Sequence, residues 1–475
     1  MTGVQVKSFI LGDFLPQYFG SSGIRGSFNR INPEFSMILG KAVGKALKST
    51  KPAYITSDIR FTSNLLKSAF MSGYSNSSGT IIDIGLSPTP VLSYISSFKK
   101  TLGVMVTASH NPPSNNGFKF FLHGSECGEV FEKIVEKELQ LELSSSDFST
   151  SIRIPWRDVG QSSYENNRQY IDDYIKYLFS KVQINNLNRK IILDCANNVQ
   201  NLVSPFALKE IGFKNVISIN DTLDAFFPGR PSEPSSGNLD LLKKKVIKEK
   251  ADIGIAHDGD GDRFAIIDEN GNFVSSTSLI CFFIDHLDYS DPNRTKIILT
   301  SDCTNQAVDL VEKNGGTVVM TQIGRNREFV NDDEVLFLAE PNKLIYPHLG
   351  KWIDGLFPVL KLLEISGSKR ISEILAPYEK RKVLRKAFEI SEGDRIRVKT
   401  HIDHLSQLWS EEIEKILSLD GKKLKLKDDS SVLIRFSGTE PKVKFYIESS
   451  SRKKNEDILK RIITEFEFDT SGMDC

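Results

Sequence analysis

The feature that most restricts the fold of this chain is an alternation. Short β-branched and apolar runs at 53–57, 81–84, 103–107, 191–194, 252–256, 297–300, 317–321 and 335–338 alternate with longer amphipathic stretches at 36–47, 168–179, 239–248, 306–313 and 457–465. Within 168–179 the apolar Ile171, Tyr174, Ile175 and Leu178 recur at three- and four-residue spacing, the period of one helix face. Strands alternating with helices predict βαβ units and mostly parallel sheets. Several runs are apolar almost throughout, as expected of strands covered by helices on both faces.

A serine-rich patch from Ser144 to Ser151 interrupts the pattern and reads as a linker near the end of a first domain. The alternation resumes over about 191–274 and again over about 275–365, with no close sequence repeat. The last hundred residues differ. Strand-like runs at 424–427, 432–436 and 443–448 have short connections and precede a helix from Asn455, the pattern of a smaller α+β domain with an antiparallel sheet. A length of 475 residues sets a prior of about three domains.

Composition excludes some functions. Lys+Arg and Asp+Glu are both 61, so the chain has no net charge to form a broad polyanion-binding surface, although a local cationic pocket remains open to it. No apolar run approaches the roughly 18 residues of a membrane span, and the first residues lack the basic and apolar regions of a secretory signal. The cysteines, Cys127, Cys195, Cys281, Cys303 and Cys475, lack metal-ligand spacing. A cytoplasmic location without a disulfide framework is expected.

Four loops carry candidate chemistry. The first, Thr107-Ala108-Ser109-His110-Asn111-Pro112-Pro113, follows a strand at the carboxyl edge, where open α/β sheets bind ligands. Ser109 is a candidate nucleophile with His110 beside it, and a polar turn explains the same residues equally well. No Gly-x-Ser-x-Gly surrounds Ser109, which disfavours a hydrolase elbow. Lys119 follows the turn signal Asn116-Gly117.

The second, His257-Asp258-Gly259-Asp260-Gly261-Asp262-Arg263, sets three carboxylates at alternate positions. A hard divalent cation relieves their repulsion most simply. The spacing also meets EF-hand positions through Glu269, but Arg263 stands where that loop needs glycine, and both flanks read as strands. Mg²⁺ held by a few carboxylates and a substrate phosphate suits the loop better than stored calcium. Arg263 could pair with the same phosphate.

The third, Arg435-Phe436-Ser437-Gly438-Thr439-Glu440-Pro441-Lys442, combines an arginine, two hydroxyls, a glycine and a lysine into an anion nest, against the plainer reading of a hairpin turn. The fourth, Gly20-Ser21-Ser22-Gly23-Ile24-Arg25-Gly26, is a weaker glycine-rich candidate. Together they suit a transferase whose substrate carries two phosphates.

With GSSGIRG, TASHNPPSNNGFK, FPGRPSEPSSGNL, DGDGDR, AEPN and RFSGTEPK in this order, the chain closely resembles the α-D-phosphohexomutase family, which includes phosphoglucomutase, phosphomannomutase and phosphoglucosamine mutase. Ser57-Asp58-Ile59-Arg60 and Gly85-Leu86-Ser87-Pro88-Thr89-Pro90 are weaker matches.

The resemblance implies an α/β fold of four domains around a central cleft: three α/β domains with mixed sheets at 1–152, 153–270 and 271–370, and a smaller α+β domain at 371–475. It implies that Ser109 is phosphorylated and that Asp258, Asp260 and Asp262 bind Mg²⁺ together with the phosphate on Ser109. Arg25, Lys119 and Arg263 would surround the transferring group, with Lys119 a candidate general acid/base and His110 an accessory. Glu340 and Asn342 would hold sugar hydroxyls, and Arg435, Ser437, Gly438 and Thr439 the phosphate that does not react. A hexose 1,6-bisphosphate would be both intermediate and activator, the partner a sugar phosphate rather than nucleic acid or membrane. A homo-oligomer is left open.

The expected reaction interconverts hexose 1-phosphate and hexose 6-phosphate, with glucose and mannose favoured. Phosphoglucosamine mutase, a catalytically silent sugar-phosphate binder and a phosphatase are the alternatives. Two departures bear on the sugar. In Ala339-Glu340-Pro341-Asn342-Lys343-Leu344, Lys343 replaces a glycine of the family pattern and no histidine follows directly. There Lys343 either contacts substrate or faces solvent. Asp194-Cys195-Ala196-Asn197-Asn198 lacks the glycines common at that point, which predicts an altered local backbone with the chemistry retained.

Overall fold

A computed structural model describes residues 5–6, 18–20, 22–144, 154–391, 393–436 and 442–466. The expected runs are strands and helices within a few residues of their sequence limits. The chain forms two compact units, one of Leu11–Val274 with Asn342–Ile374, the other of Met1–Ile10, Ser275–Pro341 and Leu375–Cys475.

The first unit holds two mixed sheets. In one, strands Ala53–Ser57, Ile81–Leu86 and Leu102–Val106 are parallel. Asn115–Leu122 then folds back antiparallel to Leu102–Val106, and Ile24–Ser27 pairs antiparallel at its far side. Ser162–Tyr164 adds a parallel edge strand beside Ile81–Leu86. The other sheet has parallel strands Asn215–Ile219, Lys190–Asp194 and Ile253–His257, closed by antiparallel Phe264–Asp268. Every residue of Ala53–Ser57, Leu102–Val106 and Ile253–His257 is buried, which accounts for runs that do not alternate. The two loops that carried the serine and the aspartates therefore both join antiparallel strands: 107–114 links Leu102–Val106 to Asn115–Leu122, and 258–263 links Ile253–His257 to Phe264–Asp268.

Helix Arg168–Phe179 buries Ile171, Tyr174, Ile175 and Leu178, the face read from spacing. Helix Pro33–Leu47 starts at Asn32, whose side chain accepts the Phe35 N–H, and has proline in its first turn, so two local preferences fix one boundary. Helix Thr89–Lys99 ends in Lys100, an exposed residue at φ 51°. A side chain in that left-handed conformation is strained, whereas glycine is not. Lys100→Gly is expected to raise stability by about 1 kcal/mol in urea denaturation, with turnover unchanged.

In the second unit, the parallel strands run in the order Gln5–Val6, Thr317–Thr321, Lys296–Thr300, Val335–Glu340. A separate antiparallel sheet is ordered Lys382–Glu389, Lys442–Ser449, Ser431–Phe436, Lys422–Leu426, Ile413–Leu417. Val443, Phe445 and Ile447 alternate onto its buried face. Helix Arg452–Phe466 covers that face with Ile458, Ile462 and Phe466. The expected α+β segment is present, with two strands and the helix Asp394–Leu408 that the sequence reading did not mark.

Ala196 and Asn197 both adopt left-handed backbone, at φ 54° and 55°. The segment thus takes the conformation that glycine favours without having one. The four cysteines among the described residues are buried, and Cys475 lies outside them. No helix among the described residues is long and apolar enough to cross a membrane. Most of the serine-rich patch, 145–151, also lies outside the described residues.

Candidate active site

The serine loop is held open by one buried arginine. Arg60, 2 % exposed, donates from Nε to Asp58 Oδ2 at 2.9 Å. Its Nη1 reaches the carbonyls of Pro112 (2.5 Å) and Asn115 (2.8 Å), and its Nη2 those of Ser109 (2.7 Å) and Asn111 (2.8 Å). A planar fork of donors can gather four carbonyls this way; a lysine cannot. Thr107 Oγ1 donates to Asp58 Oδ2 and accepts the Ser109 N–H, at 2.7 and 2.8 Å. These bonds hold Ser109 at φ 53°, strained backbone that persists because its surroundings determine it. Arg60→Ala leaves the Asp58 carboxylate buried without its cation. The expected loss is about 3–5 kcal/mol in thermal or urea denaturation, partly relieved by adding Asp58→Asn.

The acidic loop comes up against this one. Ser109 Oγ donates to Asp258 Oδ2 at 2.9 Å, although 149 residues separate the two in sequence. The approach requires glycine: a Cβ at Gly259 would stand 2.5 Å from both the Ser109 carbonyl oxygen and Ser232 Oγ. Gly261 has φ 75°, and a Cβ there would lie 2.2 Å from Gln200 Oε1. Gly259 is thus fixed by close approach to backbone, and Gly261 by its positive φ and a buried side chain beside it.

Asp258, Asp260 and Asp262 are buried, with one candidate ligand atom from each inside 4.8 Å of the others. Lys119 Nζ bonds Asp260 Oδ2 (2.5 Å) and Asp262 Oδ2 (2.6 Å), and Thr89 Oγ1 also reaches Asp260 Oδ2 at 2.6 Å. The Oδ1 atoms of Asp260 and Asp262 remain buried without a hydrogen-bond partner. Buried carboxylate oxygens left over in a cluster of three fit a hard divalent cation.

The charges divide the site. Burial raises the Asp258 carboxyl well above the usual carboxylate range, and Asp262 and Asp260 add to the rise. Asp262 goes the other way: burial would raise it, but Lys119, Lys343 and Arg263 outweigh that and hold it ionised. For Lys119, burial favours the neutral amine, yet Asp260 and Asp262 together push its pKa up. In this arrangement Lys119 is held as an ammonium, able to give a proton or to neutralise an oxygen. Burial, with Arg263, Arg25 and Lys343, pushes His110 down and leaves its ring neutral. Its Nδ1 is 3.4 Å from Ser109 Oγ and 3.8 Å from Glu233 Oε2.

Arg25 lies on strand Ile24–Ser27, opposite Gly117 in the register, two residues from Lys119. Burial lowers its pKa, with Asp260 opposing and Arg263 adding. Arg263 donates to Glu233 Oε2 at 2.6 Å, and its main-chain N–H to Asp258 Oδ1 at 3.1 Å. Lys343, which could have faced solvent, is buried in this unit at 8 % exposure. Asn342, in the same unit, has φ 67°.

Glu340 and Arg435 belong to the other unit. Glu340 Oε2 accepts the Gly324 N–H at 3.0 Å, and Arg435 pairs with Asp420 at 3.2 Å. Both act on buried Asp302: burial raises its carboxyl, Arg385 opposes, and Glu340 and Arg435 add opposite contributions. Ser437, Gly438 and Thr439 lie outside the described residues.

Arg60, Thr107, Ser232 and Glu233 were not read as site residues. Their signals were present as Ser57-Asp58-Ile59-Arg60, FPGRPSEPSSGNL and, for Thr107, the start of the serine loop itself, but a loop clamp is visible only in three dimensions. Arg230 of the second motif is structural: it donates to Asp194 Oδ2 (2.9 Å) and the His257 carbonyl (2.6 Å), just before the acidic loop.

Family models described as phosphoglucomutase/phosphomannomutase alpha/beta/alpha domain I, alpha/beta/alpha domain II and C-terminal domain match residues 16–145, 168–271 and 379–465. A phosphopentomutase of Thermococcus kodakarensis is 34% identical over 93% of this chain and 96% of its own length. A probable phosphoglucosamine mutase of Thermococcus gammatolerans is 32% identical over 94% and 97%. A crystal structure of a phosphoglucomutase/phosphomannomutase family protein from Burkholderia thailandensis superposes with a TM-score of 0.80 at 20% identity, over 96% of this chain and 98% of that one, and shares the multi-domain α/β architecture.

Proposed function

This chain belongs to the α-D-phosphohexomutase family, whose members are phosphotransferase isomerases, and from that membership we propose that it interconverts hexose 1-phosphate and hexose 6-phosphate through phosphorylated Ser109. The observation that carries the reading is the 2.9 Å contact between Ser109 Oγ and Asp258 Oδ2. It supports a phosphoryl group on the serine beside the three carboxylates. Asp258, Asp260 and Asp262 would hold Mg²⁺, which when bound supplies charge neutralisation at phosphoryl oxygens. The arrangement on strained backbone presents the serine oxygen in a fixed direction, and phosphoryl transfer depends mainly on such alignment and on electrostatics.

Arg25, Arg263 and Lys343 bring cationic charge to the phosphoryl oxygens, and Lys119 offers both charge and a proton. Phospho-Ser109 gives its phosphoryl to the free hydroxyl of the monophosphate. A hexose 1,6-bisphosphate results, and Ser109 then accepts its other phosphoryl. The neutral His110 ring, 3.4 Å from Ser109 Oγ, is placed to take the serine proton in the return step, when Ser109 Oγ attacks the other phosphoryl group. Glu340 and Arg435, of the second unit, are proposed to hold a sugar hydroxyl and the phosphate that does not react, with Ser437, Gly438 and Thr439 completing that phosphate site; Asn342 and Lys343, of the first unit, are proposed to bind the sugar. The partition proposed is 1–152, 153–270, 271–370 and 371–475; four separate sheets support it in outline, with Ser162–Tyr164 joining the first sheet and Gln5–Val6 the third across those bounds.

For the sugar, glucose and mannose phosphates are our reading, with glucosamine phosphate the alternative. The test is a substrate panel with Mg²⁺ and trace bisphosphate covering glucose, mannose, glucosamine and, because one relative is named a phosphopentomutase, ribose 1-phosphates. Faster isomerisation of glucose or mannose phosphate is expected. Preference for ribose or glucosamine phosphate would replace that substrate while keeping the reaction, and release of inorganic phosphate faster than isomerisation would replace the reaction with hydrolysis.

A further inference from the structure

The hairpin of Ile253–His257 and Phe264–Asp268 has the acidic loop at one end. At its other end, where Asp252 enters the first strand and Glu269 leaves the second, lies a recess of about 480 Å³. Five residues of strand, about 17 Å, separate the two ends, so the recess is no part of the phosphoryl-transfer centre. Its volume lies in the lower part of the range of small-molecule sites.

Four cations line it, Arg189, Lys250, Lys369 and Arg370, against two carboxylates, Asp252 and Glu269. Both carboxylates already have partners. Asp252 Oδ2 accepts the Lys190 N–H at 2.7 Å, and Glu269 accepts the N–H and hydroxyl of Ser372. Arg189 is only 4 % exposed. Its Nη2 donates to Ser366 Oγ (3.2 Å) and to the carbonyls of Gly367 (2.9 Å) and Lys369 (2.5 Å), which fixes the guanidinium plane. Its Nε is buried with no hydrogen-bond partner. Leaving such a donor unsatisfied costs about 1–3 kcal/mol, so the guanidinium is not neutralised by its own loop. Ile247 and Ala251 supply an apolar wall.

We propose that this recess is a second anion site, which takes the phosphoryl group of a small molecule. Its size and a chain with no net charge argue for a small ligand over a polyanion. The inference does not depend on the mutase reaction.

The test is lysine acetylation of the full-length protein, read residue by residue by mass spectrometry, in inorganic phosphate or in adenosine 5′-monophosphate. Ligand at about four times its Kd is expected to slow labelling of Lys250 and Lys369 about fivefold, the value for a site about 80 % occupied, while exposed Lys244 is unchanged. Protection at lower concentration by the nucleotide assigns the site to phosphate esters, and the reverse order assigns it to free phosphate. Neither ligand protecting, or equal protection of Lys244, overturns the proposal. Arg189 also ties down a loop, so the companion variant uses exposed residues: in Lys250→Glu/Arg370→Glu, Lys369 should lose its protection while turnover is retained. Persistent protection of Lys369 in that variant would equally overturn the site.

Discussion

Ser109→Ala is expected to lower turnover by about 10,000-fold or more while the protein stays folded. The hydroxyl makes one strong contact, to Asp258, and the loop around it is held by main-chain bonds from Arg60, Thr107 and Ser232 that the substitution leaves in place. Stability should therefore change by less than about 1 kcal/mol. Two readouts separate the mechanisms. Intact-mass measurement should find one added phosphoryl group in the parent protein and none in the variant. Sugar-phosphate binding should survive, because the cations that neutralise the ligand are intact. A variant that turns over at a tenth of the parent rate would rule out a phosphoserine pathway, and so would an adduct retained in Ser109→Ala.

The second large effect joins catalysis to stability with opposite signs. Asp258→Asn removes a charge from three buried carboxylates that crowd one another. Burial, Asp262 and Asp260 raise the Asp258 carboxyl in the fold, so the folded state binds its proton more tightly than the unfolded chain does. That contribution is fully present below the unfolded value and is lost as pH rises through the folded one. Asparagine has no such loss. In chelator at neutral pH the variant should be more stable than the parent by on the order of 1–2 kcal/mol, with the gap closing in acid. Added Mg²⁺ should stabilise the parent and leave the variant unmoved, and turnover should fall by about 1,000-fold. Thermal melts with and without Mg²⁺ at two pH values, with a turnover assay beside them, test all of this. An Asp258→Asn protein less stable than the parent in chelator would show that the three carboxylates do not repel one another in the fold.

Strand and helix positions were legible from local pattern. Unbroken apolar runs such as Ile253–Ala256 belong to strands buried on both faces, and the spacing in Arg168–Phe179 named the buried side of its helix, because periods of two and 3.6 residues are set by backbone geometry alone. DGDGDR could be read as a cation site because three carboxylates on so short a chain have no means of separating. The motifs and their order were enough to place the chain in its family.

Other features depended on contacts between residues far apart in the chain. Nothing local to Arg60 announces that it gathers the carbonyls of the serine loop, and nothing local to Lys119 shows that two aspartates some 140 residues away keep it protonated. Lys343 looked equally suited to solvent, yet it is buried. Local sequence sets the backbone's preferences and the kinds of group available. Which charges share a low-dielectric space is decided by folding, and with it which group holds a proton and which oxygen lacks a partner.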